Sequence, residues 1–425
     1  MNDEDEVKTS GMRYWTSKQW LVLLGLWISF LVSFITRLSW SSLMPIVNKS
    51  LHFSVAQGTS YVTWFYIGYT ITVLPGGILA DKLGYRKMVL ASVLGNFIFM
   101  TLMCFMRGYW SGLLFRFLLG LASGPDLAAC MGLLTDWFSE KDRATANGLF
   151  VTCTSFGLTI VNAYAPAVAT THGWRMAMAI TAALPLIVFI FAFFALRGDA
   201  PYAASKNMEV AARKAKQSVW TMIKNVATNR NIILLSIIGI LTNGAKWGVT
   251  NWMNLFIVSH LGYSAVQAGA AMSWYGIASL IAMIFAGWLS DHINMSRSKL
   301  AAWLMLIFTP ALIGLALCPK NNMIALYFWA CLVGMGAFGY STIVNLLDAE
   351  VVPPELKSTG VGFVNVFNQA GSFVFPMILG SLLSTTGSYV TSFLVISIAP
   401  LLGFIACLFI KENDETLKNS VALEQ

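Results

Sequence analysis

The sequence predicts an all-α polytopic membrane protein, twelve transmembrane helices in two pseudo-symmetric six-helix bundles, on three observations. Of its 425 residues 57% are hydrophobic and only 11% charged, less than half of the roughly 25% charged in soluble domains, and mean hydropathy is +0.69. Apolar runs of about 20 residues, enough to cross a hydrocarbon core about 30 Å thick, recur along the chain. Charged landmarks of the first half return in the second: Asp81 and Asp291 stand 210 residues apart, and Arg37 and Lys246 stand 209 apart.

Each span follows from its own run. Residues 1–18 contain Asp3, Glu4, Asp5 and Glu6 and no small-residue cleavage site ahead of a spanning helix, so they read as a tail rather than a signal peptide. The first run, 19–47, carries Arg37; the second, 57–79, ends in Gly76-Gly77-Ile78-Leu79-Ala80-Asp81-Lys82-Leu83-Gly84-Tyr85-Arg86-Lys87. The third is 88–106. The fourth, 110–136, carries Arg116 and is interrupted by Gly124-Pro125 before Asp126. Asp136 and Arg143 follow it, then runs five (145–168) and six (174–196). After a basic stretch from Arg197 to Arg230 the pattern restarts at 231–258, the run that carries Lys246, and 266–289, which ends in Gly287-Trp288-Leu289-Ser290-Asp291-His292. Runs 299–318, 323–347, 358–383 and 389–410 complete the set, with Asp348 and Lys357 after the tenth answering Asp136 and Arg143 after the fourth.

Basic residues fix the orientation, because short cytoplasmic loops are the basic ones. With both termini in the cytoplasm, 20 of the 27 Lys and Arg fall in cytoplasmic segments, and the external loops keep only Lys49, Arg107, Arg175 and Lys320. The net charge of +8 therefore reads as topology and contact with anionic lipid; no soluble domain is left to present a basic face to nucleic acid. The expected organisation is a tail (1–18), a bundle (19–196), a cytoplasmic linker (197–230), a second bundle (231–410) and a tail (411–425), multi-pass in the cell (inner, cytoplasmic) membrane. Parallel halves of this kind are the repeat pattern of transporters that rock around a central site.

The remaining three cations lie inside spans. A charge at membrane depth costs several kcal/mol on insertion scales and is normally kept for a pathway, a partner or a ligand. Arg37 is ten residues from Val47, about 15 Å along a helix, beyond the reach of a snorkelling side chain. Lys246 is thirteen residues from Ser259, about 20 Å. Arg116 lies only about 9 Å from Trp110, so snorkelling and a buried role stay equally open for it. Cations from the first and seventh spans directed at the pseudo-symmetry axis repel unless an anion lies between them. Asp126 has two readings, a proton relay at membrane depth and a cap for backbone donors freed by the Gly124-Pro125 break.

The G-x-L-x-D-x-x-G-x-R-K segment between the second and third spans resembles the signature of the major facilitator superfamily, and the Asp136 to Arg143 loop is similar to the loop after helix 4 in that superfamily. That resemblance implies a twelve-helix fold and a cytoplasmic gate in which Gly77, Asp81, Arg86, Arg143 and Asp291 take part. Asp81, at a helix C-terminus where a negative charge is disfavoured, is expected to meet the start of the eleventh span near Lys357 and Ser358; Asp291 and the Arg143 region form the symmetric pair. The alternative for each basic side chain of the motif is a plain positive-inside role. The paired cations resemble those of the organophosphate:phosphate antiporters, where basic residues on helices 1 and 7 grip phosphate. Ala245-Lys246-Trp247-Gly248-Val249-Thr250-Asn251-Trp252 is similar to that family's helix 7 pattern, with Lys in place of Arg and Asn251 in place of Asp. The anion:cation symporters match in part: Arg116 corresponds to their helix 4 Arg, whereas Thr36 and Ser123 replace acids.

The resemblance and the charges together imply a secondary transporter of a small organic anion, a carboxylate, sugar acid or phosphate ester, working as a monomer by alternating access and coupled to protons through Asp126. Arg37, Lys246, Arg116, Tyr66, Trp247 and Asn365 are the expected substrate contacts. The alternatives are phosphate exchange, a non-transporting anion sensor of the same fold and a drug exporter. No cofactor or metal is expected. The G-x-x-x-x-G-K-[ST] loop of ATP-driven machines is absent from the sequence, and His52, His172, His260 and His292 fall in loops or at helix ends, so an enzyme is the poorest fit. The six cysteines read as small buried apolar residues, and Gly334, Gly336 and Gly339 as close-packing positions.

Overall fold

The computed structural model describes residues 12–198, 200–202, 219–293, 295–350 and 357–411. Each predicted run is a helix: α1 (Ser17–Leu51), α2 (Val55–Leu83), α3 (Tyr85–Cys104), α4 (Tyr109–Trp137), α5 (Lys141–His172), α6 (Trp174–Ala195), α7 (Arg230–Ser259), α8 (Ala265–His292), α9 (Arg297–Ala316), α10 (Met323–Glu350), α11 (Lys357–Thr386) and α12 (Tyr389–Leu408). Eleven qualify as single spans by length and apolarity, and α2 makes a twelfth bent by 48° at Pro75, as expected where proline removes a backbone donor. A short helix, Val219–Thr228, precedes α7. Twelve passes return the chain to the face it started from, the terminal face.

Local chemistry sets the helix starts. Thr16, Ser54 and Ser264 each accept a bond from the backbone of a glutamine three residues on, and each glutamine side chain bonds back, the reciprocal capping box. The Ser54-Gln57 and Ser264-Gln267 boxes open α2 and α8 at a separation of 210 residues, the same repeat as Asp81 and Asp291.

Within the first half, α2 and α4 meet backbone to backbone. A Cβ at Gly120 would overlap the Phe65 carbonyl, and one at Gly124 would overlap Thr72. The α4 break at Gly124-Pro125 nests against the α2 bend, where a Cβ on Gly76 would lie 2.6 Å from Pro125. In the second half Gly334 approaches the Tyr275 carbonyl and Gly336 the Phe308 backbone, whereas Gly339 has room for a side chain. Two of the three expected packing glycines therefore act as such. Close approach through small residues is the usual way in which helices associate in lipid.

Among the described residues, several side-chain hydrogen bonds join the halves, the one nearest the terminal face running from Ser155 of α5 to the Met283 sulfur of α8 at 3.5 Å. Ser41 of α1 donates to Asn251 of α7 at 2.6 Å, and Asn251 in turn reaches the Tyr66 hydroxyl of α2 at 3.4 Å. Asn254 donates to Asn162 of α5 at 2.8 Å, and Ser273 of α8 to the Thr159 carbonyl at 3.1 Å. Most of the bonds described between the halves thus lie from the centre towards the far face.

Candidate functional site

Arg37 is 4% exposed, Lys246 8%, Arg116 1% and Asp126 0%. All four are therefore enclosed by protein rather than snorkelled to an interface, which removes that alternative for Arg116. The Arg37 guanidinium is ringed by aromatic faces, with Tyr69 at 4.4 Å, Phe34 at 4.5 Å, Phe65 at 5.5 Å and Tyr66 at 5.9 Å. Its Nε and Nη2 have no hydrogen-bond partner. Cation–π contacts are worth about 2 kcal/mol when desolvated, which offsets part of the burial cost and leaves the N–H edge of the fork free to meet an anion bidentately.

Lys246 stands across the seam between the halves. Its ammonium lies 5.1 Å from the Phe338 ring and 5.5 Å from Trp247. The Trp247 ring packs 5.8 Å from Phe34, the ring that also carries Arg37. Arg37, Phe34, Trp247 and Lys246 form one continuous chain of contacts from α1 to α7, so the two cations are joined through one aromatic floor. The helix that carries Lys246 contains a wide π turn over Gly239–Asn243, a form that concentrates at functional sites. Asn243 ties this turn to α11, donating to the Asn368 carbonyl at 2.7 Å and to Ser372 at 3.0 Å.

Arg116 spends its two terminal nitrogens on protein, and its Nε has no partner. Nη1 bonds the Thr36 carbonyl at 3.1 Å, Nη2 bonds the Arg37 carbonyl, and the guanidinium covers Phe65 at 4.8 Å. It clamps the backbone that presents Arg37. Asp126 follows the α4 break without capping it: Oδ1 accepts from the Cys130 thiol at 3.6 Å and Oδ2 has no partner. Ser33 and Arg37 are its other polar neighbours. The carboxylate therefore belongs to the Arg37 environment and leaves the broken backbone to other groups. Tyr66 is buried beside Arg37 and holds Asn251, and Asn365 is half-buried on α11.

The described gate residues make local bonds. Asp81 is exposed and accepts from Tyr85 at 2.5 Å, one turn along. Arg86 donates to the Phe193 carbonyl of α6 at 2.8 Å. Arg143 donates to the Phe138 and Thr135 carbonyls, each at 3.1 Å, and so closes the end of α4. These arginine bonds stay inside the first half. A Cβ on Gly77 would lie 3.7 Å from Ala128, ordinary contact. The side chains of Asp291, Lys357 and Ser358 lie outside the described residues. Sequence reasoning missed Phe34, Phe338 and Ser41. Ser41 had a signal, lying four residues beyond Arg37 on one helical face.

Comparison with known proteins decides the family. The model of the Major Facilitator Superfamily matches residues 26–376. The chain belongs to the major facilitator superfamily. Over 416 residues it is 26% identical to the membrane sensor protein UhpC of Escherichia coli strain K12, covering 94% of this chain and 92% of that one. It is 22% identical to the probable galactarate/D-glucarate transporter GarP of the same organism (92% and 94% covered) and 22% identical to a probable hexose phosphate transport protein of Chlamydia pneumoniae (87% and 86%). In fold it is similar to a bacterial homologue of the human lysosomal transporter Spinster in its inward-facing, unoccupied form, with a TM-score of 0.74 at 15% identity over 93% of this chain and 98% of that one. The family is one of transporters, not enzymes.

Proposed function

We propose that this protein moves a small organic anion across the membrane by alternating access, holding the anion between Arg37 and Lys246. The carrying observation is the pair itself: two buried cations, one from each half, on a shared aromatic floor, with Arg37 Nε and Nη2 unpartnered. An anion bound there touches both halves at once, as an alternating-access site must. The substrates named for two relatives, a sugar diacid and a hexose phosphate, are both small anions and support this class. A cationic drug would be repelled by the same charges.

With both termini in the cytoplasm, the bonds between the halves on the far side, Ser41–Asn251 and Asn254–Asn162, support an inward-facing state. The bundles are residues 19–196 and 231–410, and the working unit is a monomer. Arg37 and Lys246 anchor the anion, Trp247 and Tyr66 flank it, Asn365 lines the path on α11, and Arg116 acts by positioning Arg37. Asp126, one face of which is unpartnered beside Arg37, is the proton carrier: anion binding at Arg37 and protonation of Asp126 draw on one local field. The gate of Gly77, Asp81, Arg86, Arg143 and Asp291 closes the terminal face in the opposite state. Uptake into proteoliposomes with and without an imposed pH gradient tests the coupling; an Asp126→Asn protein as gradient-dependent as the parent would remove the proton role and leave anion exchange. A sensor reading is favoured by one finding, the similarity to the UhpC sensor over nearly the whole chain. Counterflow of labelled anion separates the two, since a sensor binds without exchange.

A further inference from the structure

We propose that a groove between the terminal-face ends of α1 and α6 binds one anionic phospholipid, its headgroup on Arg197 and Lys18 and an acyl chain along α6. The groove has a volume of about 410 Å³ and is lined by Leu21, Ile187, Ile190, Phe191, Phe194 and Ala195, all apolar. Its α6 wall runs from Ile187 to Ala195, about 12 Å at 1.5 Å per residue. That is close to the depth of one leaflet, half of a core about 30 Å thick. The groove thus reaches from headgroup level towards the bilayer centre and spans one monolayer only.

Its mouth is cationic. The Lys18 ammonium bonds the carbonyl of Ala195, the last lining residue, at 3.0 Å. Arg197 stands two residues further on, exposed, with its guanidinium 5.7 Å from the Phe193 ring. Arg86 of α3 covers the same ring at 5.2 Å. Two guanidiniums therefore lie near Phe193 where α6 leaves the membrane, and the bonds made here by Lys18 and Arg86 go to carbonyl oxygens. Carbonyls do not neutralise charge; a phosphodiester does, and the planar arginine fork suits its two oxygens. Apolar wall and cationic mouth together match an anionic lipid better than a zwitterionic one, whose ammonium would face Arg197. This site lies on the lipid side of the first half and is independent of the transport reading above.

The test uses the full-length protein in nanodiscs of phosphatidylcholine with or without phosphatidylglycerol, read by native mass spectrometry and thermal shift. One phosphatidylglycerol should be retained by the parent and raise its Tm, with retention falling at least several-fold in Arg197→Gln, which changes an exposed side chain, and in Ile190→Trp, which fills the groove. Lys224→Gln, a basic change elsewhere, should retain the lipid as the parent does. Equal retention of phosphatidylcholine, or loss equal in Lys224→Gln and Arg197→Gln, would overturn the site in favour of diffuse attraction. Retention unchanged in both groove variants would overturn it outright, as would a dimer mass abolished by Ile190→Trp, which assigns the groove to a second copy.

Discussion

At the scale of single residues, the site rests on how each buried charge is satisfied. Arg37 has rings on its faces and free donors on its edge, so Arg37→Ala should weaken anion binding by about 100-fold, about 2.8 kcal/mol at the tenfold-per-1.4 kcal/mol conversion. Isothermal titration with the intact protein checks this. Arg116 acts through backbone carbonyls, so Arg116→Lys, which keeps a charge but loses the fork, should reduce affinity while leaving the shape of the pH profile of uptake unchanged. Asp126→Asn should alter that profile. The buried depth of Arg37 and Lys246 was legible in the sequence because spacing along a helix is fixed by geometry. The destination of the Arg116 donors was not: its acceptors, Thr36 and Arg37, lie 80 and 79 residues away, and periodicity carries no information on which helix packs alongside.

At the scale of helices, close contact is set by small residues and opening by a few polar bonds. The Gly120 and Gly124 approach to α2 leaves no space for a branched side chain, so Gly120→Val should lower the stability of the folded protein by roughly 1–3 kcal/mol through overpacking, read as a lower Tm in detergent. Asn251 joins Ser41 and Tyr66 to α7. At about 0.6 kcal/mol per interhelical bond, Asn251→Ala should shift the balance towards the far-side-open state severalfold, read as faster thiol labelling of a cysteine placed at Thr59. The twelve spans were legible from hydropathy, and the α4 break from Gly124-Pro125. The π turn before Lys246 was not, because it depends on Asn243 finding α11, a tertiary bond. Asp81 accepts a local bond from Tyr85, and the side chains expected to meet it across the halves, Lys357 and Ser358, lie outside the described residues; the motif identified the loop and its family, whereas its pairing depends on which face of the protein is closed.

At the scale of the molecule, two six-helix halves meet along a far-side seam and hold one aromatic floor with a cation from each. The halves were legible as a repeat of about 210 residues, seen again in the Ser54-Gln57 and Ser264-Gln267 capping boxes. If the proposed inward-facing state holds, spin labels at Leu83 and Leu289 should show a broad, long distance that shortens when the protein is driven outward-facing. The transport mechanism turns on one anion bridging the halves at Arg37 and Lys246. A double-mutant cycle on Kd reads that bridge, with D-glucarate and a hexose phosphate as probes, across parent, Arg37→Ala, Lys246→Ala and the double variant. Each single variant should show a marked loss, and the double variant should lose less than their sum, because the two cations share one ligand. Single variants that bind both anions as tightly as the parent would refute the bridge.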